Sequence, residues 1–251
     1  MIEVTVRAYG PLNDFLPAHR RQVTWPHVVE GHPPVKDVIE SLGVPHPEID
    51  LILANGVSVP FDYAVQAADR IAVFPQFMIV DIGTLTRVRA RPLDRVRFVA
   101  DVHLGKLARH LRLLGLDTAY RADADDAALA ELAHREGRIL LTRDQGLLKR
   151  RMVAHGYFIR ETHPHHQLVE VLRRFGPLDL QAFSRCLRCN ALLREVPKSA
   201  VDSALLPRTR QYYDRFEACS GCGRIYWKGS HWKRLTQAID AAREEAARRA
   251  I

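Results

Sequence analysis

Four cysteines form the most specific chemical pattern in this sequence of 251 residues. They occur as two Cys-x-x-Cys pairs, Cys186/Cys189 and Cys219/Cys222, and no cysteine is left over. In a reducing compartment such pairs hold a metal rather than a disulfide, and four thiolates satisfy the tetrahedral preference of Zn²⁺. The 29 residues between the pairs exceed the usual ribbon spacing of roughly 15 to 20, but a longer loop adds little closure entropy. Because protein fills all four positions, we predict a structural zinc site.

Aspartates follow short apolar runs at several places. Asp101 ends the run FVA, Asp144 follows ILLT and one arginine, and Asp123, Asp125 and Asp126 lie at a junction between two elements. Functional residues of open parallel sheets collect beyond the carboxyl ends of the strands, so we expect these carboxylates to converge. Like charges held that closely need a cation, and Mg²⁺ or Mn²⁺ takes carboxylate oxygens. Such an ion activates water for phosphodiester cleavage.

Each aspartate also has a plainer interpretation. Asp126 precedes the helical pattern AALAEL and suits a helix N-cap. Asp144 precedes Gln145-Gly146 and suits a turn. For any one residue the cap or turn is favoured, whereas their coincidence in one basic part of the chain favours a metal site.

Basic side chains near these carboxylates are candidate phosphate ligands. Lys106, Arg109 and Arg112 recur every three residues opposite a leucine stripe, and Arg143 lies beside Asp144. Lys106, Arg109 and Arg143 are candidates for binding the substrate phosphates. Arg112 is predicted to lie on a solvated helix face.

Aromatic and basic residues alternate in GRIYWKGSHWKR, residues 223–234. This composition is typical of single-stranded RNA binding, in which bases stack on aromatic rings and cations hold phosphates. One of Tyr226 and Trp227 is expected in the core of the metal domain, and Trp232 and Lys233 are predicted to contact substrate.

Hydrophobic periodicity divides the chain into segments that must position these residues. The pattern of residues 1–78 predicts strands, an Asn-Gly hairpin turn and a helix, which together make an α+β module. The pattern of residues 95–176 predicts strands that alternate with helices, as in a parallel sheet. The histidines of THPHHQ (162–167) are predicted to lie in a loop. The predicted segments are 1–78, a linker at 79–94, 95–176, the cysteine-containing 177–234 and a solvated helix at 235–251.

Charge is unevenly distributed. Residues 1–80 carry five Lys/Arg against nine Asp/Glu, and residues 81–251 carry 32 against 20, giving net charges of −4 and +12. The basic part is suited to a polyanion such as RNA. No apolar run approaches the roughly 18 residues of a membrane span, and the first residues lack a signal-peptide pattern, so a soluble cytoplasmic protein without a membrane partner is expected.

Two resemblances are visible at this point. The stretches VTVRAYGPLNDFL, VKDVIESLGVP, LILANGVSV and DRIAVFPQF resemble the ubiquitin-like β-grasp of small sulfur carriers. Those carriers end in Gly-Gly, whereas this chain continues through FPQF. The first segment is therefore expected to be a docking or packing domain, with a protein partner as one role.

The stretches FVADVHLGKLARHLRLLGLDTAY, DADDAALAELAHREGRILLTRD and CLRCN…CGRIYWKGSHWKR resemble the bacterial proteins built around the Mut-seven C-terminal RNase domain, a PIN-like nuclease branch. The resemblance implies a β-grasp module, an α/β PIN-like domain with a parallel sheet and a C-terminal zinc ribbon. It maps the acidic positions of the family onto Asp101, Asp126 and Asp144, with Asp123 or Asp125 as additions.

The sequence therefore predicts a metal-dependent ribonuclease with structural zinc and catalytic Mg²⁺ or Mn²⁺. The alternative is a non-catalytic RNA- or ribosome-binding adaptor in which the aspartates cap helices.

Overall fold

The computed structural model describes residues 1–75, 77, 82–88 and 95–248, and at residues 230, 231, 233 and 234 only the backbone. Most of the predicted linker at 79–94 lies outside the described residues. The chain forms two compact units, each built from two stretches: Met1–Arg95 with Asp126–Phe158, and Val96–Asp125 with Ile159–Ile251. The five-segment division by sequence order stays a prediction.

The N-terminal residues form a ubiquitin-like β-grasp, here called the β-grasp segment (residues 1–75). Its elements are β1 (Ile2–Ala8), β2 (Trp25–Val29), α1 (Val35–Ser41), β3 (Ile49–Ala54), β4 (Val57–Ser58) and β5 (Arg70–Pro75). The strand order is β2-β1-β5-β3-β4, in which β1 and β5 run parallel and the other neighbours antiparallel. Alternation along β1 buries Val4, Val6 and Ala8 on the face that meets the core.

The predicted hairpin at Asn55-Gly56 is confirmed. Both residues adopt positive φ, 53° and 86°, and the turn joins β3 to β4. Sequence periodicity did not predict β2, whose WPHVV includes a proline. Pro26 pairs with Thr5 on an edge strand, where a missing N–H is tolerated.

The next part of the chain alternates strands and helices. Its elements are β6 (Phe98–Ala100), α2 (Gly105–Leu113), β7 (Thr118–Tyr120), α3 (Asp126–Glu136), β8 (Ile139–Thr142), α4 (Gln145–Leu148), β9 (Gly156–Phe158) and α5 (Pro164–Phe175). Strands β6 and β7 pair in parallel, and so do β8 and β9. The apolar runs that were predicted to be strands form β6 and β8, and all of their residues are buried. This is the α/β domain with parallel strands that the sequence predicts.

The histidines of residues 162–167 were predicted to lie in a loop, and this is wrong for most of them. Helix α5 begins at Pro164, and His163 is its N-cap, whose side chain accepts a hydrogen bond from the backbone N–H of His165. A proline at the first helical position suits a helix start, because its missing N–H would have no partner there.

The β-grasp segment packs against Asp126–Phe158 within the first compact unit. His46 Nε2 lies 3.0 Å from the Val153 carbonyl, and Glu48 Oε1 accepts a hydrogen bond from Phe158 N at 2.5 Å. Lys149 Nζ donates to the Glu40 carbonyl at 2.9 Å. These contacts agree with the packing role that the sequence predicts for this segment.

The cysteine-containing part, here called the ribbon segment (residues 177–234), forms a three-stranded antiparallel sheet. Its elements and the helix that follows are β10 (Leu193–Val196), α6 (Lys198–Val201), α7 (Pro207–Tyr212), β11 (Phe216–Cys219), β12 (Ile225–Tyr226) and α8 (Ser230–Arg248). The long gap between the cysteine pairs therefore holds two strands and two short helices. A small core of Val201, Leu205 and Phe216 lies beneath them.

The C-terminal helix was predicted to be solvated, and this is wrong for one of its faces. Ile239 and Ala242 of α8 are buried, and the helix packs on α5. Arg173 of α5 donates to the Glu245 carbonyl at 2.8 Å. Ile239, Ala242 and Ala246, spaced at helical intervals among many charged residues, give a narrow apolar stripe, which is enough to cover one helix.

Candidate functional site

Asp101 lies at the carboxyl end of β6, as predicted, and only 3% of its surface is exposed. It occupies the N-cap position of the 3-10 turn Val102–Leu104, yet its side chain makes no capping hydrogen bond. The backbone of this turn is fixed by Tyr120, whose hydroxyl donates to the Val102 carbonyl at 3.0 Å. A Cβ on Gly105 would lie 2.6 Å from the Tyr120 hydroxyl, so any larger residue there would displace the Tyr120 ring. The chain thus holds one buried carboxylate rigidly at a strand end.

Asp144 follows β8 and does cap a helix. Its Oδ1 accepts hydrogen bonds from Gly146 N at 2.6 Å and Leu147 N at 3.2 Å, at the start of α4. Asp144 is exposed, and its own N–H donates to Thr142 Oγ1 at 2.9 Å. Both capping bonds use Oδ1, so the cap leaves the second carboxylate oxygen available as a ligand.

The acidic cluster before α3 is at the surface. Asp126 is the first residue of α3, and its carboxylate pairs with Arg150 at 3.5 Å. Asp123 pairs with Arg121 at 3.2 Å, and the charge-assisted hydrogen bond to this exposed arginine lowers the pKa of Asp123. Asp125 is exposed and directly precedes the helix. Because α3 begins at Asp126, the N-cap position falls on Asp125 rather than on Asp126.

The three basic residues of α2 do not share one environment. Lys106 and Arg109 are exposed, as is Arg143 beside Asp144. Arg112 is 3% exposed, so its predicted solvated position is wrong. Burial lowers the pKa of the Arg112 guanidinium, and the charges of nearby Cys186 and Cys189 oppose that change.

Arg112 joins α2 to the first cysteine pair. Its Nη1 donates to the carbonyls of Leu187 and Arg188 at 3.1 and 2.8 Å, and its Nε donates to the Thr118 carbonyl at 2.9 Å. Asn190, which has a positive φ of 71°, accepts from Thr118 N at 3.0 Å through Oδ1. The cysteine turn is therefore tied to β7 from two sides.

The four cysteine sulfurs lie within 4.8 Å of one another. Sγ of Cys186 is 3.6 Å from that of Cys222, and Sγ of Cys189 is 3.3 Å from that of Cys219. Zn–S bonds of 2.3 Å in a tetrahedron require sulfurs about 3.8 Å apart, so the cluster fits a zinc ion. Backbone N–H groups of Gly221 and Cys222 point at the Cys219 sulfur, at 3.3 and 3.4 Å.

Tyr226 lies beside this cluster, a position that the sequence did not predict, since it placed one of Tyr226 and Trp227 in the core without choosing between them. Its hydroxyl lies 3.1 Å from Cys186 Sγ and accepts from Leu187 N at 3.1 Å. Burial raises the pKa of the Cys186 thiol, but the hydrogen bonds from Tyr226 and from the Cys189 N–H outweigh it and lower the pKa to about 6. Thiolate is the form that binds metal.

Among the described residues, the cysteines are the one group of three or more potential metal ligands that the structure brings together. The joint site of Asp101, Asp126 and Asp144 remains a prediction, as do Asp123 and Asp125 as additional ligands.

Comparison with known proteins identifies the family. A model described as the Mut7-C RNAse domain matches residues 96–239, more than half of the chain, and the Mut7-C ubiquitin model matches residues 1–81. The chain belongs to the Mut7-C RNAse domain family. Membership supports a nuclease-type function and confirms the resemblance that the sequence motifs carry.

One curated relative is a human protein named "Exonuclease mut-7 homolog". It is 26% identical over 240 residues, covering 64% of this chain and 27% of the human protein. The chain thus spans about a quarter of that relative's length. Two crystal structures of the small archaeal modifier protein SAMP1 from Haloferax volcanii are 23% identical to this chain, with TM-scores of 0.25 and 0.24. The matches cover 31% and 30% of this chain, and 100% and 96% of the two SAMP1 chains. No helix in the described part of the chain is long and apolar enough to cross a membrane.

The aromatic residues of this Mut7-C chain divide differently from the prediction. Tyr226 is half-buried beside the cysteine cluster and Trp227 is 39% exposed, so neither ring belongs to the buried core of Val201, Leu205 and Phe216, and the expectation that one of them would is wrong. Trp232, the predicted contact, is half-buried and stacks on Phe183 with ring centroids 3.4 Å apart. Lys228 Nζ also lies over the Trp232 ring, at 4.7 Å. The side chain of Lys233 lies outside the described residues.

Proposed function

We propose that this Mut7-C chain is a metal-dependent ribonuclease that cleaves RNA phosphodiester bonds. The observation that carries the proposal is Asp101, a carboxylate held almost completely buried at a strand end without serving as a helix cap. Burying a carboxylate is costly, and a site that retains one is a functional candidate. The Mut7-C RNAse match over residues 96–239 supports the reaction class.

Asp101, Asp126 and Asp144 would hold Mg²⁺ or Mn²⁺, with Asp123 and Asp125 as further candidates. These ions prefer carboxylate oxygens and, when bound, supply an activated water and charge neutralisation at the phosphate. Asp144 keeps Oδ2 outside its cap. The Asp126 carboxylate already pairs with one cation, the Arg150 guanidinium at 3.5 Å, so its surroundings accept positive charge.

Exposed basic residues would hold the RNA. Lys106 and Arg109 on α2 and Arg143 beside Asp144 are suited to the scissile or neighbouring phosphates. In the ribbon segment, Trp227 offers a more accessible ring than Trp232 for stacking a base.

The cysteine cluster is proposed to hold a structural zinc ion, because protein ligands fill all four positions of a tetrahedral site. A reducing compartment such as the cytoplasm is part of this proposal, since thiolates must stay reduced to bind metal. A protein partner for the β-grasp segment rests on its ubiquitin-like fold alone.

The second candidate is a non-catalytic RNA- or ribosome-binding adaptor. The cap made by Asp144 and the surface ion pair of Asp123 favour it, because both carboxylates already have structural partners. An adaptor would bind RNA without needing a divalent ion.

The deciding experiment measures RNA cleavage by zinc-loaded protein with and without Mn²⁺. Asp101→Asn and Asp144→Asn should each reduce the rate at least about 100-fold, with folding and zinc content unchanged. Asparagine caps a helix as well as aspartate, so Asp144→Asn removes the charge and keeps α4. Asp62→Asn, at an exposed position of the β-grasp segment, is the matched control.

Manganese should also raise the thermal midpoint of the wild type and of Asp62→Asn, but not that of Asp101→Asn, because a ligand bound only to the folded state stabilises it. Cleavage at the wild-type rate by both Asp101→Asn and Asp144→Asn would contradict the proposed ribonuclease site. RNA binding that is identical with and without Mn²⁺, in the absence of cleavage, would establish the adaptor.

A further inference from the structure

A cavity of about 160 Å³ opens on the sheet of the ribbon segment. Glu195 of β10, Glu217 of β11 and Tyr226 of β12 lie directly opposite one another across the three strands, so all three share one face. They line the cavity together with Arg215, Trp227 and Lys228. We call this cavity, which Phe216 and Trp232 also line, the ribbon pocket.

Glu195 and Glu217 form a pair of opposed carboxylates that does not stabilise the sheet. Like charges directly opposite on neighbouring strands destabilise a sheet. Here Glu195 faces Glu217 in a three-stranded sheet whose hydrophobic core is small. Glu217 is half-buried and Glu195 is exposed, so this costly carboxylate pair lies on the lining of an open cavity, an arrangement typical of a binding site.

The rest of the lining is suited to a nucleotide. Trp227 is 39% exposed and offers its ring to a stacked base. The side chains of Arg215 and Lys228 are exposed at the same cavity and carry the positive charge that a phosphate requires. Lys228 is also held over Trp232, which stacks on Phe183, so this wall of the pocket is fixed.

The carboxylates decide which base fits. An ionised carboxylate only accepts hydrogen bonds, and its two oxygens match two neighbouring donors. Guanine offers such a pair, N1–H and the N2 amino group, on its Watson–Crick edge. Adenine and cytosine place a ring acceptor beside their amino group, and uracil places its single N–H between two carbonyls, so each would turn an acceptor towards a carboxylate.

We propose that the ribbon pocket binds a guanine base of single-stranded RNA, with Glu217 and Glu195 accepting from its Watson–Crick edge and Trp227 stacking on its face. This inference rests on the proposed function in taking RNA as the ligand, and it adds a base preference that lies in the ribbon segment rather than at the aspartates. Arg215 and Lys228 contact the flanking phosphates and give the sequence-independent part of the affinity.

The test uses the full zinc-loaded chain without added Mg²⁺ or Mn²⁺, so that binding is measured apart from cleavage. Fluorescence anisotropy gives the Kd of labelled uridine heptamers that carry one central guanine, adenine or hypoxanthine. Guanine should bind about tenfold more tightly than adenine, as one bidentate contact allows. Hypoxanthine, which lacks the N2 amino group, should fall between them.

Glu217→Gln should bring the guanine-to-adenine ratio close to one while leaving the all-uridine heptamer unchanged. Trp227→Ala should weaken every heptamer by a similar factor, since stacking is tolerant of sequence. Glu131→Gln, an exposed glutamate of α3, is the control and should match the wild type throughout. Glu217→Gln removes a like-charge contact, so its thermal midpoint should equal or exceed that of the wild type.

Equal Kd values for guanine and adenine in the wild type would overturn the proposal. So would tight binding of an arginine-rich peptide that requires Glu217 and displaces every heptamer alike, because the pocket would then take a cationic protein side chain. Guanine discrimination without any cleavage activity would contradict the proposed nuclease function and support guanine binding by the ribbon pocket. Mn²⁺-dependent cleavage without guanine discrimination would support the nuclease function and contradict guanine binding.

Discussion

The β-grasp segment and the ribbon segment are both small β-sheet structures, but they are stabilised in different ways. Among the described residues, eighteen buried side chains of the β-grasp segment belong to one hydrophobic cluster, against three in the cluster of the ribbon segment. The ribbon segment has instead four convergent thiols and the bridge from Arg112. A core of three residues does not offset the conformational entropy lost by a segment of nearly sixty residues. The β-grasp segment is therefore stabilised by burial, whereas we expect the ribbon segment to depend on metal binding at its four cysteines.

Removing the metal should have the largest effect and should fall on one segment alone. Cys219→Ser, or treatment with a strong chelator, should unfold β10 to β12, because binding of structural zinc is worth on the order of 10 kcal/mol of folding free energy. Hydrogen exchange should then show loss of protection in the ribbon strands, with β1 and β5 unchanged.

Ser199→Ala, in α6 of the same segment, is the control for the serine substitution and should retain zinc and protection. Ribbon amides that stay protected after complete zinc loss would contradict the division between the segments.

The second prediction addresses the β-grasp core. Ile52 is completely buried in β3, and Ile52→Ala should destabilise the protein by about 2–5 kcal/mol through lost burial and a residual cavity. Thermal or urea unfolding of the β-grasp segment measures this loss. Val57→Ala, at a position that is 64% exposed, should cost less than about 0.5 kcal/mol.

Zinc content should be the same in both variants. If Ile52→Ala lowered zinc affinity as strongly as it lowers stability, the two segments would not be stabilised independently.

Local signals in the sequence predicted much of this molecule. The cysteine turns are specified by Cys-x-x-Cys followed by Asn190 or Gly223, and both residues adopt the left-handed φ that such a turn needs, 71° and 69°. The strand that ends at Asp101 is a short apolar run, which is a local pattern as well. Whether distant aspartates share one ion depends on how strands are ordered, and no short window of sequence contains that information.

The buried position of Arg112 was not predicted, and the geometry of the helix explains why. Residues three apart along an α-helix differ by about 300° around its axis, so a basic stripe at this spacing drifts by about 60° at every step. From Lys106 to Arg112 the drift is about 120°, enough to turn the last side chain from the solvent face to the buried one. The partners that accept it there, the carbonyls of Leu187 and Arg188, are 75 and 76 residues further along the chain.

The third prediction breaks this bridge. Arg112→Ala leaves the Thr118, Leu187 and Arg188 carbonyls without their donor and should cost about 1–3 kcal/mol. It should also lower zinc affinity about 10- to 100-fold, because groups that orient metal ligands have effects of this size. Competition with a chromogenic chelator measures the affinity.

Arg208→Ala, an exposed arginine of α7, should leave zinc affinity unchanged. An equal loss in both variants would mean that net charge, rather than the bridge, controls the metal.

The last prediction makes the same small change in both segments. Gly56 in the β-grasp turn and Gly223 after the second cysteine pair have φ of 86° and 69°, and a Cβ at either would meet nothing within 4 Å. Alanine should therefore cost about 1 kcal/mol of backbone strain at each position. In Gly56→Ala this should appear as a lower free energy of unfolding with unchanged zinc affinity. In Gly223→Ala it should appear mainly as zinc binding weakened about fivefold, because folding of the ribbon segment and metal binding are one equilibrium. Gly223→Ala with wild-type zinc affinity and a lowered unfolding midpoint would show that the ribbon segment folds before it binds metal.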